Sequence, residues 1–312
     1  VINRPDLRTR RHLSAVALVA ALAVLAALTS AGGGAAAAPR ATRPGSTAPP
    51  NPAITKVLVF MVENHSLDQM TSSMPFVHGL AQQYAYATNY TAITHPSLPN
   101  YLAILGGSTF GVTDDRPPAA HRLRGASVLS QARRAGRTVK VYAESQPRRC
   151  ALANAGEYAV RHNPWTYFVS DRTACRRYDV MAGALGRNAD AGTLPNVGMV
   201  IPNLVHDAHD ASLATSDAWL SKKITRIQAG PDWQSGRLAV VITADEDDHH
   251  QGNTVLTVVA SRYQQHKVVG TPLTHYSLTR LLEDVAGVPY LRNAATAASM
   301  TTAFGISTLP RP

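Results

Sequence analysis

The chain has 312 residues, 45% hydrophobic and 16% charged. That is enough apolar material for one large domain or two ordinary ones, and too much for a wholly disordered chain. The net charge of +10 invites a nucleic-acid partner, but residues 1–43 hold six arginines against the single acid Asp6, which leaves 24 bases and 19 acids for the remainder. No helix-turn-helix, zinc-finger or RNA-binding signature accompanies the charge, so nucleic-acid recognition is set aside.

In chain order, Arg10-Arg11 precedes an uncharged Ala/Val/Leu stretch over residues 13–28, followed by Gly32, Gly33, Gly34 and an alanine run that ends at Pro39. A basic start, an apolar middle and a small-residue end form an export signal over residues 1–38, of the twin-arginine kind. The stretch is too short and too rich in alanine for a membrane anchor. Residues 39–53 are Pro, Ala, Thr, Ser and Gly with two arginines and Asn51, and read as a flexible linker. The folded domain is expected over 54–312, in a secreted or cell-envelope protein.

Lys56–Val62 is apolar after its first residue, as in a strand buried on both faces of a parallel sheet. Residues 138–143, 197–201, 238–243 and 254–260 read as strands of the same kind. Helical patterns lie between them over 75–84, 98–105, 127–135, 211–227 and 277–286. The alternation predicts an α/β fold, a mainly parallel central sheet sandwiched by helices. Such sheets bind ligands outside the carboxyl ends of their strands.

Those ends carry hard oxygen ligands and imidazoles. Strand one leads into Glu63-Asn64-His65-Ser66, the 197–201 strand into Asp207-Ala208-His209-Asp210, and the 238–243 strand into Asp245-Glu246-Asp247-Asp248. Four successive acids repel one another unless cations or water intervene, which favours metal ligation. Taken singly, each group also reads as a loop start, a helix cap or a solvated turn. Ser97, before an apolar helix with Pro99 in its first turn, suits both an N-cap and a nucleophile facing an anion at a helix N-terminus. Thr94 is the reserve nucleophile. Cys150 and Cys175, the only cysteines, are expected to form a disulfide outside the cytoplasm.

These residues resemble the bacterial secreted phosphoesterase family of acid phosphatases and phospholipases C within the alkaline-phosphatase superfamily. The likeness rests on Val62-Glu63-Asn64-His65-Ser66, on the run from Thr94 to Leu102, on Ile201-Pro202-Asn203 through Asp210, on Ile242 through Asp248, and on Thr274-His275-Tyr276-Ser277. Tyr158-Ala159 with Arg161-His162-Asn163-Pro164-Trp165 is similar to a branch that dephosphorylates phosphatidylinositol 3-phosphate. The resemblance implies that Glu63, Asn64, Ser97, Asp245 and Glu246 surround one divalent metal ion, with Ser97 as nucleophile. It places Asp207, His209, Asp210 and His275 at a second metal or among the groups that bind phosphate and assist the leaving group. Asp245-Glu246 stands where many superfamily members have Asp-His, so one metal is as tenable as two.

The implied activity is hydrolysis of phosphate monoesters, free or on a phospholipid headgroup, through a phosphoserine. His95, His209 and His275 are the candidates to protonate the departing alcohol; each also reads as a structural histidine. Two alternatives stand beside this: a phospholipase C or phosphodiesterase on the same scaffold, and a non-catalytic basic module binding anionic polymers or membranes peripherally. The second draws on the arginines of residues 116–177, including Arg148-Arg149 and Arg176-Arg177.

Overall fold

The computed structural model describes residues 51–310, so the expected export signal and most of the linker lie outside the described residues. The strands are β1 (Lys56–Val62), β2 (Ala85–Ala87), β3 (Tyr90–Thr91), β4 (Val139–Ala143), β5 (Asp179–Met181), β6 (Val197–Ile201), β7 (Leu238–Ala244), β8 (Thr257–Ser261), β9 (Lys267–Val269) and β10 (Leu273–Thr274). Eight form one sheet in the order β5-β4-β6-β1-β7-β8-β2-β9, and β3 with β10 makes a separate ribbon. From β5 to β7 every pairing is parallel. β6 and β7 are buried along their whole lengths, and β1 from Val57 onward. That is why the sequence shows continuous apolar runs there rather than alternation.

The segment predicted as strand 254–260 departs from expectation. It begins at Thr257 and runs antiparallel to β7. The intervening residues contain no helix, and without a crossover helix the chain returns alongside in the opposite sense. β2, β5 and β9 are three residues each, too short to leave a period in the sequence.

The helices are α1 (Leu67–Ser73), α2 (Pro75–Gln83), α3 (Ser97–Gly106), α4 (Val128–Arg134), α5 (Arg172–Tyr178), α6 (Gly183–Asp190), α7 (Leu213–Ala229), α8 (Pro231–Gln234), α9 (His275–Ala286) and α10 (Met300–Phe304). α3, α4 and α9 pack together, and α2, α6 and α7 form another set. The sheet is thus the expected α/β core with flanking helices. Every residue of α3 is buried, and Thr279 Oγ1 of α9 donates to its Ala103 carbonyl at 2.7 Å. α3 ends at Gly107, whose φ of +66° and approach to the Leu291 carbonyl, 2.4 Å from where a Cβ would sit, both require glycine.

Cys150 and Cys175 are bridged, with Cα atoms 5.4 Å apart. The bridge closes a loop of short 3₁₀ turns, Val160–His162, Pro164–Tyr167 and Val169–Asp171, as expected for a stretch without regular periodicity. Among the described residues no helix is long and apolar enough to cross a membrane.

Candidate active site

At the carboxyl ends of β1, β6 and β7, backbone bonds join the chemistry-bearing segments. Glu63 N–H donates to the Asp207 carbonyl at 2.8 Å and Asp245 N–H to the Val62 carbonyl at 3.1 Å. Glu63, Asp207 and Asp245 are each completely buried, and Ser97 is 3% exposed. Ser97 Oγ donates to Glu63 Oε2 at 3.2 Å. Asn64 has a left-handed φ of 52°, tolerable for asparagine, and its N–H donates to Asp245 Oδ1 at 3.3 Å.

The 3₁₀ turn inside the disulfide loop supplies His162. Its Nε2 lies 3.3 Å from Glu63 Oε2 and its Nδ1 3.2 Å from Asp207 Oδ2. The ring stacks on Tyr101, with centroids 5.3 Å apart, and Tyr101 donates its hydroxyl to Glu63 Oε1. One imidazole thereby lies between the carboxylates of two strands, within 3.3 Å of both but with its Nε2 buried and without a hydrogen-bond partner. Neither His162 nor Tyr101 was singled out from sequence. His162 follows no strand, and Tyr101 fits the apolar pattern of a buried helix; their only signal was membership of the motifs that carried the resemblance.

Burial dominates the electrostatics. Desolvation, then the charges of Asp245 and Asp207, hold the Glu63 carboxyl well above its usual range. Desolvation pushes Asp207 and Asp245 up to about 7 and His162 well below its ordinary value. Asn64 Oδ1, Asp207 Oδ2 and Asp245 Oδ2 are buried without a hydrogen-bond donor. Unpaired buried oxygens are costly. Hard oxygen donors of this kind, beside an imidazole whose ligand atom lies within 4.8 Å of those of Glu63 and Asp207, fit a divalent cation.

The four acids after β7 diverge. Asp245 turns into the cluster. Glu246 Oε2 accepts from Asn100 Nδ2 at 3.1 Å and lies 3.3 Å from His95 Nδ1, so it faces the 93–100 loop, and desolvation with the neighbouring Asp245 pushes it up to about 9. Asp247 accepts the backbone N–H groups of His249, Gln251 and Asn253 and approaches His95 Nε2 at 3.2 Å. Asp248 pairs with His250 and Gln69.

Several predicted residues sit elsewhere than expected. Ser97 is the first residue of α3, and Pro96 occupies the N-cap. The Leu98 N–H is taken by Asp115 Oδ1 at 2.9 Å and Pro99 has none, so the helix end offers an incoming anion fewer donors than the sequence suggested. Thr94 Oγ1 donates to the His95 carbonyl, away from the acid cluster. His275 is fully buried with both nitrogens engaged: Nε2–H donates to the Asp245 carbonyl at 2.6 Å and Nδ1 accepts from Tyr90 at 3.0 Å. Its ring braces the end of β7. Asp210 is 54% exposed and pairs with His209 Nδ1 at 2.6 Å, so the structure leaves it outside the buried cluster. His209 Nε2 accepts from Arg161 at 3.1 Å, and Arg161 Nε lies 3.8 Å from Asp115. Arg161 is thus a cation close enough to the acid cluster for its charge to act on Glu63 and Asp207.

The sequence matches the phosphoesterase family over residues 70–289. It is 31% identical, over 97% of both chains, to the phosphatidylinositol-3-phosphatase of Mycobacterium tuberculosis. It is 28% identical to a phosphate-repressible acid phosphatase of Penicillium chrysogenum over 68% of this chain, which spans about half, 54%, of that longer protein. Among solved structures, a member of the alkaline phosphatase superfamily from Vibrio parahaemolyticus superposes with a TM-score of 0.53 at 11% identity, over 81% of this chain and 72% of that one. A sulfatase from Pseudoalteromonas sp. gives 0.54 at 8% identity, over 83% and 74% respectively. At such identities these two structures speak to the fold alone.

Proposed function

Because this chain belongs to the phosphoesterase family and is a phosphatase, we propose that it hydrolyses phosphate monoesters with Ser97 as nucleophile at a divalent-metal centre held by Glu63, Asn64, Asp207 and Asp245. The observation that carries this reading is the Ser97 hydroxyl, 3.2 Å from Glu63 Oε2, among buried carboxyl and amide oxygens that lack donors. A bound cation supplies charge neutralisation at the phosphoryl oxygens and acidifies a neighbouring hydroxyl.

The chain's own groups do the rest. Glu63 takes the Ser97 proton, Ser97 Oγ forms a bond to phosphorus, and the ester P–O bond breaks as the alcohol departs. His95, partly open to solvent between Glu246 and Asp247, protonates that alcohol. Water then cleaves the phosphoserine. Arg161, steadied by Asp115 and His209, orients the phosphate dianion. Positioning and electrostatics of this kind are the main demands of phosphoryl transfer. His162, stacked on Tyr101, packs between Glu63 and Asp207 and spaces the two carboxylates.

Phosphatidylinositol 3-phosphate is the proposed lipid substrate, on the likeness, over 97% of both chains, to a relative named phosphatidylinositol-3-phosphatase. The Cys150–Cys175 bridge supports a proposed location outside the cytoplasm. Purified protein releases phosphate from a generic aryl phosphate, and Ser97→Ala abolishes the release; an unchanged rate in that variant sinks the assignment. Offered intact phosphatidylcholine and phosphatidylinositol 3-phosphate side by side, the enzyme frees inorganic phosphate from the latter. Diacylglycerol release would instead make it a phospholipase C.

A further inference from the structure

Three arginines outside the hydrolytic centre, Arg133, Arg134 and Arg177, converge on a cavity of about 400 Å³ between α4 and α5. Its walls carry Arg133, Arg134 and Arg177 with the hydroxyl residues Ser130, Ser170 and Thr173. The size suits a small ligand; the polar, cationic lining suits an anion.

Arg133 and Arg134 lie in the last turn of α4, and Arg177 in that of α5. The negative end of a helix dipole favours a cation there, which accounts for a charge at each helix end but not for three around one cavity. The only carboxylate in the lining, Asp171, already accepts from Ser127 Oγ at 2.7 Å and Trp165 Nε1 at 3.3 Å. The Lys and Arg ion pairs among the described residues use Lys56, Arg116, Arg161 and Arg226, and none of these three.

The guanidinia are nevertheless placed. Those of Arg133 and Arg177 lie 5.7 and 5.3 Å from the Tyr178 ring centroid, a cation–π geometry. Arg134 Nη2 donates to Ser130 Oγ at 3.3 Å. Three like charges, held by an aromatic and a hydroxyl, ion-paired to no carboxylate and outnumbering the single Asp171 in the lining, are the arrangement that phosphate groups bind.

We infer that this pocket is a second anion site, separate from the hydrolytic centre, that takes a phosphate group carried either by an anionic lipid headgroup or by a free phosphate. Ser170 and Asp171 end the same run of 3₁₀ turns whose first turn holds His162, so the pocket shares a wall with the segment reaching the hydrolytic centre.

The test is Arg133→Gln/Arg134→Gln/Arg177→Gln, with the single charge reversal Arg177→Glu as a second variant. These side chains are exposed, so both variants are expected to melt with the parent and to keep its aryl-phosphate kcat/KM. Calorimetric titration of the metal-loaded protein with inorganic phosphate finds two sites in the parent and one in the triple variant. Flotation with vesicles of phosphatidylglycerol in phosphatidylcholine, against phosphatidylcholine alone, separates the sources. Binding that weakens at least about tenfold in the variants and with added salt points to a lipid headgroup. Loss of the second phosphate site alone points to free phosphate. Equal phosphate stoichiometry together with equal vesicle binding in parent and variants overturns the inference, and leaves the assignment of hydrolysis untouched.

Discussion

Opening the Cys150–Cys175 bridge perturbs stability and chemistry through one loop. The cysteines are 25 residues apart in sequence, and loop-closure entropy for that length makes the bridge worth about 3.5 kcal/mol. In a domain of this size the loss lowers Tm by roughly 7–14 °C. The enclosed segment carries Arg161 and His162, and its other anchors near His162 are the bond from Asn163 Nδ2 to Asp179 Oδ2 at 2.9 Å and the contacts of Arg161 with His209 and Asp115. Asp179 is itself buried, and desolvation pushes its carboxyl up to about 7. The Cys150→Ala/Cys175→Ala variant is therefore expected to fold, to melt lower by that margin, and to turn over aryl phosphate more slowly at saturating substrate as His162 loses its placement. Thermal melts by circular dichroism with parallel initial rates measure both effects, and dithiothreitol added to the parent reproduces them. A Tm change under about 2 °C refutes the entropic reasoning. A full Tm loss with unchanged kcat refutes the link between the staple and His162.

The metal-free protein carries a pH signature. Asp207 and Asp245 titrate near 7 when folded and near ~3.9 when unfolded, so the folded chain binds extra protons between those values. Stability is complete below the unfolded value and is lost as pH rises through about 7. Melts in chelator should fall in Tm across that window, and saturating divalent cation should flatten the fall; a flat profile in chelator contradicts the buried-carboxyl reading. Tyr101→Phe strips Glu63 Oε1 of its donor and should cost about 1–3 kcal/mol in urea unfolding, a null result meaning that Glu63 finds another partner. Arg161→Gln should raise KM for aryl phosphate and weaken product inhibition by phosphate roughly tenfold, with kcat less affected. A fall in kcat alone would show that Arg161 does not hold the ground-state dianion.

Long buried strands were the most legible part of the sequence. β1 and β6 occupy the predicted residues and β7 extends one residue further, because strands covered on both faces leave uninterrupted apolar runs. The orientation of β8 was not legible, since pairing sense depends on how the chain returns. At the strand ends Glu63, Asn64, Asp207 and Asp245 were singled out by residue type, and the structure brings them together with Ser97. The run 245–248 looked like one ligand block; the turn that Asp247 caps sends Glu246 and Asp248 in different directions. His162 left no local sign, because a disulfide and not a periodic element carries it to the cluster.

The pairing of β1 with β7 has a further consequence. Residues 56–62 match 238–244 one for one, and Glu63 and Asp245 are the next rung of that ladder. The gap between their carboxylates is thus measured off by the backbone of two strands at the centre of the sheet, which act as a ruler rather than a hinge. Length changes in the surrounding loops can reshape what approaches phosphorus, while a one-residue slip between these strands would separate the pair and send every side chain of the slipped strand to the opposite, equally packed face. Selection for a tight core and selection for a fixed ligand spacing therefore fall on the same fourteen residues.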